Sequence, residues 1–478
     1  MPLADPRDAR IAELEATRSE LEGKLAAALA RIAALEAKVA QLIAQAGQNS
    51  TNSSKPPSSD PPGVERKGKA PSGRKPGGQP GHKRNMRDLV PVDQVDELKE
   101  LVPPSCRRCH HHLHGRDPQP LRHQVTEVPV VKPTVTEYQL HALVCPHCGE
   151  VTRADLPAGV PRGAFGPVLA SMVALLTIRF RQSKRLAQEL AATLLNVDVS
   201  LGAISKIEQQ TSEALAAPVE EAREYVRQQA VANADETGWY EGKSEGKKDR
   251  AWLWVLATSL VTVFKIAKSR GEDVAREMLG DVFQGVLGSD RWSAYNFVDA
   301  FRRQLCWSHL LRDFQGFVDR GGKGGEIGVA LLRQADLMFT WWHRVRDGTL
   351  TRQTFQRRME PVKEEILRLL RAAVMRAQPK TRGMAKAILK LKWALFTFVR
   401  VPGVEPTNNV SEQSVRPAVI ARKLSFGTES AAGSRFVERM LTATTTLKQQ
   451  KRNVLDYLVA AHQARLHGRA APSLLPST

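Results

Sequence analysis

The chain has 478 residues, a formal net charge of +20 at pH 7 and 42% apolar residues, which predicts several domains with packed cores. No uninterrupted apolar run approaches the roughly 20 residues of a membrane span. The first residues also lack the basic start and apolar stretch of a signal peptide, so we expect a cytoplasmic protein without a membrane partner. The excess of positive charge favours a polyanionic partner such as nucleic acid.

Residues 1–46 are predicted to form a coiled coil (a leucine zipper). Mostly apolar residues recur at the a and d positions of a heptad, with glutamates at e and bases at g. The seam consists of Ile11, Leu14, Arg18, Leu21, Leu25, Ala28, Ile32, Leu35, Val39 and Leu42. A second copy is the simplest partner, which predicts a homodimer or higher oligomer. The alternative is a single helix packed on the body of its own chain.

Residues 47–90 are predicted to be a disordered basic linker. From Asn49 to Arg87 the segment is dominated by Pro, Gly and Ser, and nearly all its charged residues are Lys or Arg. Such a composition cannot bury enough apolar surface to order the chain. The linker is either a mobile arm that neutralises backbone phosphates or a solvated tether.

Four of the five cysteines form two CxxC pairs, Cys106/Cys109 and Cys145/Cys148, separated by strand-like alternation in "TVTEYQLHALVC". Two such pairs suit a reducing compartment and one tetrahedral metal ion. We therefore predict a zinc ribbon over residues 91–160 with structural zinc on the four cysteines. A nearby histidine cluster offers alternative ligands: His110, His111, His112 and His114.

Residues 161–230 are predicted to be helical and to contain a helix-turn-helix. One helix ends near Leu195, the turn "NVDVS" follows, and Ser200 can cap a second helix. If the second helix enters a major groove, it presents four polar side chains to DNA: Ser205, Lys206, Gln209 and Gln210. A plain helical hairpin is the alternative.

Residues 231–430 are predicted to form a catalytic α/β domain. "AVANADETGWYEG", "AWLWVLATS" and "VTVFKIAKS" have the pattern of three strands, followed by a helix and a fourth strand in "GVLGSDRWSAYN". This order is similar to the opening of a ribonuclease-H-like fold. It places Asp235 on the first strand and Asp290 at the end of the adjacent fourth, where their oxygens suit divalent ions such as Mg²⁺.

A third carboxylate is expected from "EPTNNVSEQSVRP", where Asn408 and Asn409 precede Glu412 at a predicted helix start. This helix would pack on the sheet and bring Glu412 to the two aspartates. If this helix is predicted at the wrong position, Glu405 or Glu429 is the third carboxylate instead of Glu412. Glu236 adjoins Asp235, but alternation along a strand turns it to the opposite face, and Asp281 has the context of a loop residue.

"CWSHL" contains Cys306-x-x-His309, and the sequence shows no partner pair that would complete a metal site. We assign His309 to the edge of the active site, with a structural histidine as the alternative. Residues 314–400 have a helical pattern and predict an insertion between Asp290 and Glu412. Residues 431–478 are expected to form a C-terminal helical segment.

The motifs "NSSKPPSSD", "GGQPGH", the two cysteine pairs, "ADETGW", "SDRWSAY", "CWSHLLRDF" and "EPTNNVSEQSVRP…RKLSFG" occur in this order along the chain. In this respect the chain resembles the large subunit, transposase C, of the bacterial insertion-sequence family sixty-six. The resemblance implies a nucleoid-associated DDE transposase in a bacterial cytoplasm, with the DDE triad on Asp235, Asp290 and Glu412.

It further implies two Mg²⁺ ions, or Mn²⁺, that support cleavage at the element's ends and strand transfer into target DNA without a covalent protein–DNA intermediate. The partners would be double-stranded DNA (element ends and target) and small accessory proteins from the same element. Gln413 stands where the family commonly has Arg, which puts one phosphate contact in doubt, whereas Arg416, Arg422 and Lys423 remain candidate DNA contacts. The rival interpretation is a non-catalytic, zinc-containing DNA-binding regulator on a nuclease-like fold.

Overall fold

A computed structural model describes residues 6–46, 48–50, 52 and 88–476. It contains a small hairpin, a five-stranded sheet and many helices, an α/β architecture with several distinct cores. Most of the linker predicted at residues 47–90 lies outside the described residues. No helix within them combines the length and apolar character needed to cross a bilayer.

The first helix, α1 (Pro6–Ala46), is 41 residues long. Seven described side chains of the predicted seam are between 51% and 61% exposed, so no other described part of the chain covers them. They are Leu14, Leu21, Leu25, Ile32, Leu35, Val39 and Leu42.

The strands expected between the two cysteine pairs are mostly missing. The hairpin of β1 (Ala142–Val144) and β2 (Val151–Arg153) encloses the second pair, and residues 118–141 contain no strand. The expectation is wrong there because alternation alone does not make a strand: Val135 is 88% exposed and has neither a neighbouring strand nor an apolar face to cover it.

Four helices precede the sheet: α2 (Pro167–Ala174), α3 (Lys184–Leu195), α4 (Leu201–Ala214) and α5 (Ala216–Arg227). The turn between α3 and α4 has the expected bounds. Asn196 ends α3 in the left-handed region, and the Ser200 hydroxyl accepts the N–H of Ala203 to cap α4. The first three helices share a small core around Val173, Ala187 and Ile204.

The central sheet contains β3 (Val231–Ser244), β4 (Lys247–Ala257), β5 (Thr262–Ala267), β6 (Val286–Ser289) and β7 (Arg303–Leu305). Its strand order is β5-β4-β3-β6-β7; the first three are antiparallel neighbours, and β6 and β7 run parallel to β3. Helix α6 (Glu272–Leu279) connects β5 to β6. The three strands, the helix and the fourth strand lie where the sequence predicts them.

Five helices separate β7 from the next long helix: α7 (Trp307–Arg320), α8 (Gly322–Arg346), α9 (Arg352–Arg376), α10 (Pro379–Lys390) and the short α11 (Thr397–Arg400). Large buried residues such as Phe314, Met338, Phe355 and Phe398 give this segment its own core. Its first helix begins at Trp307, earlier than the predicted residue 314, because β7 ends only two residues before it.

Helix α12 (Asn409–Ser425) returns to the sheet and packs on Trp239, Leu253 and Val255. The chain then makes a tight turn at Gly427, where a Cβ would lie 2.4 Å from the carbonyl oxygen of Tyr240 on β3. Gly427 also has a φ of +97°, which strains any other residue. The glycine of "RKLSFG" therefore allows the end of α12 to touch the sheet.

Helices α13 (Ala431–Gln449) and α14 (Val454–Leu466) complete the chain. The hydroxyls of Thr442 and Thr446 accept backbone N–H groups of Phe264 and Thr262, both on the edge strand β5, at 3.0 and 3.1 Å. These bonds satisfy donors that an open edge would present to other chains.

Candidate active site

Asp235 lies in the middle of β3, on the face of the sheet that α12 covers. Side chains alternate along a strand, so Asp235 shares its face with Trp239, a member of the core between the sheet and α12. Asp235 is half-buried, and its Oδ1 accepts the backbone N–H of Glu236 at 3.0 Å.

Asp290 follows directly after β6, the strand next to β3. The parallel pairing places Asn233 opposite Gly288, and the same register reaches Asp235 and Asp290 two residues farther on. Because paired strands lie about 4.8 Å apart, the two aspartates leave the sheet as neighbours.

The loop after β6 holds Asp290 in place. The Asp290 carboxylate accepts a hydrogen bond from the backbone N–H of Trp292 at 2.8 Å. The backbone carbonyl of Asp290 accepts a hydrogen bond from the Arg303 guanidinium at 3.0 Å. Arg303 is fully buried, and burial lowers the pKa of its guanidinium to about 10, an effect that Asp290 opposes. Sequence reasoning missed Arg303, because nothing in "FRRQL" marks it as a buried charge.

Glu412 lies in the first turn of α12, and its side chain is 33% exposed. The carboxylates of Glu412 and Asp290 contribute, after burial and Glu236, to raising the pKa of Asp235 well above its usual range. In the structure the three predicted acids are therefore close enough to interact electrostatically.

The nearest described partners of Glu412 are Cys306 and His309, at the start of α7. Glu412 Oε1 lies 3.9 Å from Cys306 Sγ and 3.5 Å from His309 Nδ1, and the three ligand atoms all lie within 4.8 Å of one another. The three predicted acids, Asp235, Asp290 and Glu412, do not form so tight a group among the described residues. The sequence alone shows no partner for Cys306 and His309; in the structure Glu412 lies beside both.

Burial dominates the electrostatics of this group. It lowers the pKa of His309 to about 4, with help from Arg312, and together with Glu412 raises the pKa of the Cys306 thiol to about 11. Burial also raises the pKa of Glu412, against the opposing effect of Arg312. Arg312, one turn after His309 on α7, is thus a positive charge beside the site that sequence reasoning did not name.

Glu236 faces away from α12, as alternation predicts, and anchors a second network. Its Oε1 accepts two hydrogen bonds from Arg270, at 2.7 and 3.0 Å, and its Oε2 accepts the Tyr295 hydroxyl at 2.6 Å. The Arg270 guanidinium lies between the rings of Trp252 and Trp292, 4.5 and 3.8 Å from their centroids. This network ties β3 to the loop that carries Asp290. Glu236 belongs to the motif "ADETGW", and Trp292 and Tyr295 belong to "SDRWSAY". These two motifs are the sequence signal that could have revealed this network.

The other acids considered from the sequence have partners elsewhere. Glu405 accepts the indole N–H of Trp342 at 3.2 Å, beside the core of the helices between β7 and α12. Glu429 pairs with Lys248 at 3.3 Å, near the far end of the β3–β4 hairpin. Asp281 lies in the loop after α6.

Asn408 occupies the N-cap position of α12 but does not cap it. Its side chain makes no cap hydrogen bond and instead donates to the carbonyl of Ala234 at 3.3 Å, next to Asp235. Asn408 is 1% exposed. The capping role inferred from the sequence is therefore wrong for Asn408: a buried amide has to bond inward, and here it fastens the start of α12 to β3.

Three of the predicted DNA contacts lie on the exposed side of α4. Lys206 is exposed beside a cavity of about 220 Å³ that His462 and Arg465 of α14 also line. Ser205 accepts a hydrogen bond from Lys184 at 2.8 Å, and Gln209 donates to Glu213 at 3.2 Å. Helix α4 thus presents polar side chains outward, two of them engaged with neighbours.

The basic residues of α12 differ in their exposure to solvent. Arg416 and Lys423 are exposed, whereas Arg422 is half-buried and donates to the backbone carbonyl of Gly238 on β3. Burial lowers the pKa of Arg422. Its first role in the structure is therefore to hold α12 on the sheet.

The two CxxC pairs form matching loops. In each, the first cysteine accepts at its carbonyl the N–H of the residue four positions later, at 2.9 Å, and that residue (His110 or Gly149) has a positive φ. Backbone N–H groups lower the pKa of the first thiol of each pair, Cys106 and Cys145. No three of the four sulfurs lie within 4.8 Å of one another in the described structure.

Comparison with known families identifies the chain. A model of the transposase IS66 family matches residues 162–435, more than half of the sequence, and a family of unknown function (DUF6444) matches residues 1–88. No curated protein matches the chain. The first match spans the helices before the sheet, the whole sheet and α12, and the chain accordingly belongs to the IS66 family of transposases.

Proposed function

We propose that the chain is a DDE transposase that binds the ends of its insertion sequence and catalyses metal-dependent DNA cleavage and strand transfer. One observation carries the proposal: Asp235 within β3 and Asp290 directly after β6 lie at the same level of two adjacent parallel strands, and Glu412 is on a helix on the same side of the sheet. Family membership supports it independently.

We assign the sheet to the ribonuclease-H-like class. A β5-β4-β3-β6-β7 order with three antiparallel strands followed by two parallel ones supports this assignment. In that class the first strand and its parallel neighbour carry the acids. The five helices between β7 and α12 are then an insertion that separates Asp290 from the third acid, Glu412, in the sequence.

The chemistry of the donor set fits a divalent cation. After burial, the Asp290 and Glu412 carboxylates help to raise the pKa of Asp235, and Asp290 helps to raise that of Glu412; a bound cation would offset this repulsion. Asp235, Asp290 and Glu412 would hold Mg²⁺, or Mn²⁺, as a pair of ions. When bound, such a pair activates the attacking oxygen and stabilises the leaving oxygen of an in-line phosphoryl transfer.

The chain's own residues position the acids and the DNA. The Glu236–Arg270–Tyr295 network and buried Arg303 fix the Asp290 loop against β3. We assign Arg312 the role of meeting the scissile phosphate, because it is a positive charge beside Glu412 and is not fully buried. We assign His309 to the edge of the site.

The remaining modules are assigned to DNA binding and assembly. Helix α4 would enter a major groove, where Ser205, Lys206 and Gln209 contact bases or phosphates, while exposed Arg416 and Lys423 contact the backbone near the active site. Zinc would be held by Cys106, Cys109, Cys145 and Cys148 as a ribbon; the matching loops and lowered thiol pKa values support this. The uncovered seam of α1 would pair with a second copy.

The test first searches the DNA on both sides of the gene for inverted repeats and then measures cleavage of DNA that carries them. We expect the purified protein to cut at the element's 3′ ends in Mg²⁺ and not in EDTA. Specific binding without cleavage, in Mg²⁺ and in Mn²⁺, would instead support the DNA-binding regulator.

A further inference from the structure

We propose that Cys306, His309 and Glu412 form a second metal site, for a thiophilic divalent cation such as Zn²⁺, and that this site shares Glu412 with the Mg²⁺ site. Binding of zinc there goes beyond the proposed function and does not depend on it. Only the consequence, competition for Glu412, depends on the assignment of this acid to the catalytic set.

The distances are close to those of a zinc site before the metal enters. In a tetrahedral site, zinc–ligand bonds of about 2.0–2.3 Å put ligand atoms about 3.3–3.8 Å apart. Here Glu412 Oε1 is 3.5 Å from His309 Nδ1 and 3.9 Å from Cys306 Sγ. Shifts of a few tenths of an ångström at Glu412, a side chain on the helix surface, would complete the three-ligand set.

The Cys306 sulfur, at the start of α7, shares one feature with the first sulfur of each CxxC pair. The Cys306 sulfur faces the backbone N–H groups of Ser308 and His309, two and three residues later, and also that of Asn408 at 3.4 Å. The first cysteine of each CxxC pair faces N–H groups at the same two offsets.

His309 lacks a partner that the metal would supply. Its Nδ1 is inaccessible to solvent and makes no hydrogen bond within the described residues. A buried polar nitrogen without a partner carries a free-energy cost, and here it points toward a carboxylate and a thiol. A metal ion between the three would satisfy it.

The ligand types select zinc over magnesium. Mg²⁺ takes oxygen ligands, whereas a thiolate and an imidazole favour Zn²⁺, Co²⁺ or Cd²⁺. Binding would displace the thiol proton of Cys306 to solvent and hold Glu412 away from Asp235 and Asp290. Zinc at this site would therefore oppose Mg²⁺-dependent cleavage.

The experiment counts zinc on the full-length protein without DNA. We expect wild type to bind one more Zn²⁺ per chain than Cys306→Ser, and Glu412→Gln to weaken that ion at least tenfold, since even partners outside the ligand shell are worth about 10–100-fold. Asp235→Asn, which removes no ligand of this site, should keep the wild-type count. Added Co²⁺ should give a thiolate charge-transfer band that is weaker in Cys306→Ser by the contribution of one bound ion, while the part due to the four CxxC thiols remains.

Equal zinc counts and equal cobalt spectra in wild type, Cys306→Ser and Glu412→Gln would overturn the inference. Glu412→Gln changes a half-exposed side chain, so it remains informative if the buried Cys306→Ser variant unfolds, which circular dichroism would reveal. Failure of Mg²⁺-dependent cleavage with the zinc count intact would count against the proposed function only.

Discussion

Replacing Arg270 by Met should loosen the strand that carries Asp235. The change removes two hydrogen bonds to Glu236, whose side chain is 1% exposed, and leaves that carboxylate buried without its cation. Breaking a buried pair in this way costs about 3–5 kcal/mol. We expect about 3 kcal/mol, the low end of that range, because the Arg270 side chain is itself 29% exposed and buried Glu236 can take up a proton.

Amide hydrogen exchange in residues 231–257 measures this loss locally, which suits a chain of several domains. A loss of 3 kcal/mol corresponds to exchange about a hundredfold faster in β3 and β4. The matched control is Arg368→Met, which breaks the exposed pair with Glu365 on α9 and should cost less than about 1 kcal/mol. Glu236→Gln combined with Arg270→Met should recover part of the loss. Unchanged exchange in β3 and β4 of Arg270→Met would refute the reasoning.

Three further predictions concern other parts of the chain. The His462 ring lies 3.0 Å from the Thr211 hydroxyl, and burial lowers the pKa of His462 to about 4. Its contribution to the stability of the fold is therefore present above the ordinary pKa of about 6.5 and is lost as pH falls toward 4. We expect His462→Gln to reduce the fall in melting temperature between these two pH values. If both proteins lose stability equally between these pH values, His462 is not responsible. Gly427→Ala should lower the melting temperature and detach the end of α12 from Tyr240, whereas Gly383→Ala, in open space on α10, should not. Deleting residues 1–46 should reduce the mass measured by light scattering and impair pairing of two DNA ends more than binding of one; an unchanged mass would place self-association elsewhere.

Local patterns were enough to predict the sheet and two of its acids. Alternation and turn residues mark β3, β4 and β5, and once β6 is recognised, the parallel register puts Asp290 beside Asp235. The cap at Ser200 is equally local. These features depend on neighbours in sequence, which is what a sequence displays directly.

The features that escaped prediction depend on distant contacts. Glu412 meets Cys306 across 106 positions of sequence, and Arg270 meets Glu236 across 34. Asn408 bonds inward because it is buried against β3, which its position before a helix does not reveal. Most of the strand expected before the second cysteine pair is missing for the same reason, since β2 pairs only with its last residues, Ala142–Val144.

The central claim is that Asp235, Asp290 and Glu412 act together on DNA. The most direct measurement is single-turnover cleavage, in Mg²⁺, of a duplex carrying one element end, by wild type, Asp235→Asn, Asp290→Asn and Glu412→Gln. We predict that each variant binds the duplex within about twofold of wild type and cleaves it at least a hundredfold more slowly, more than the roughly 10–100-fold expected for residues outside a metal's ligand shell. Near-normal cleavage by any one of the three variants would contradict that residue's place among the acids, and near-normal cleavage by all three would contradict the account.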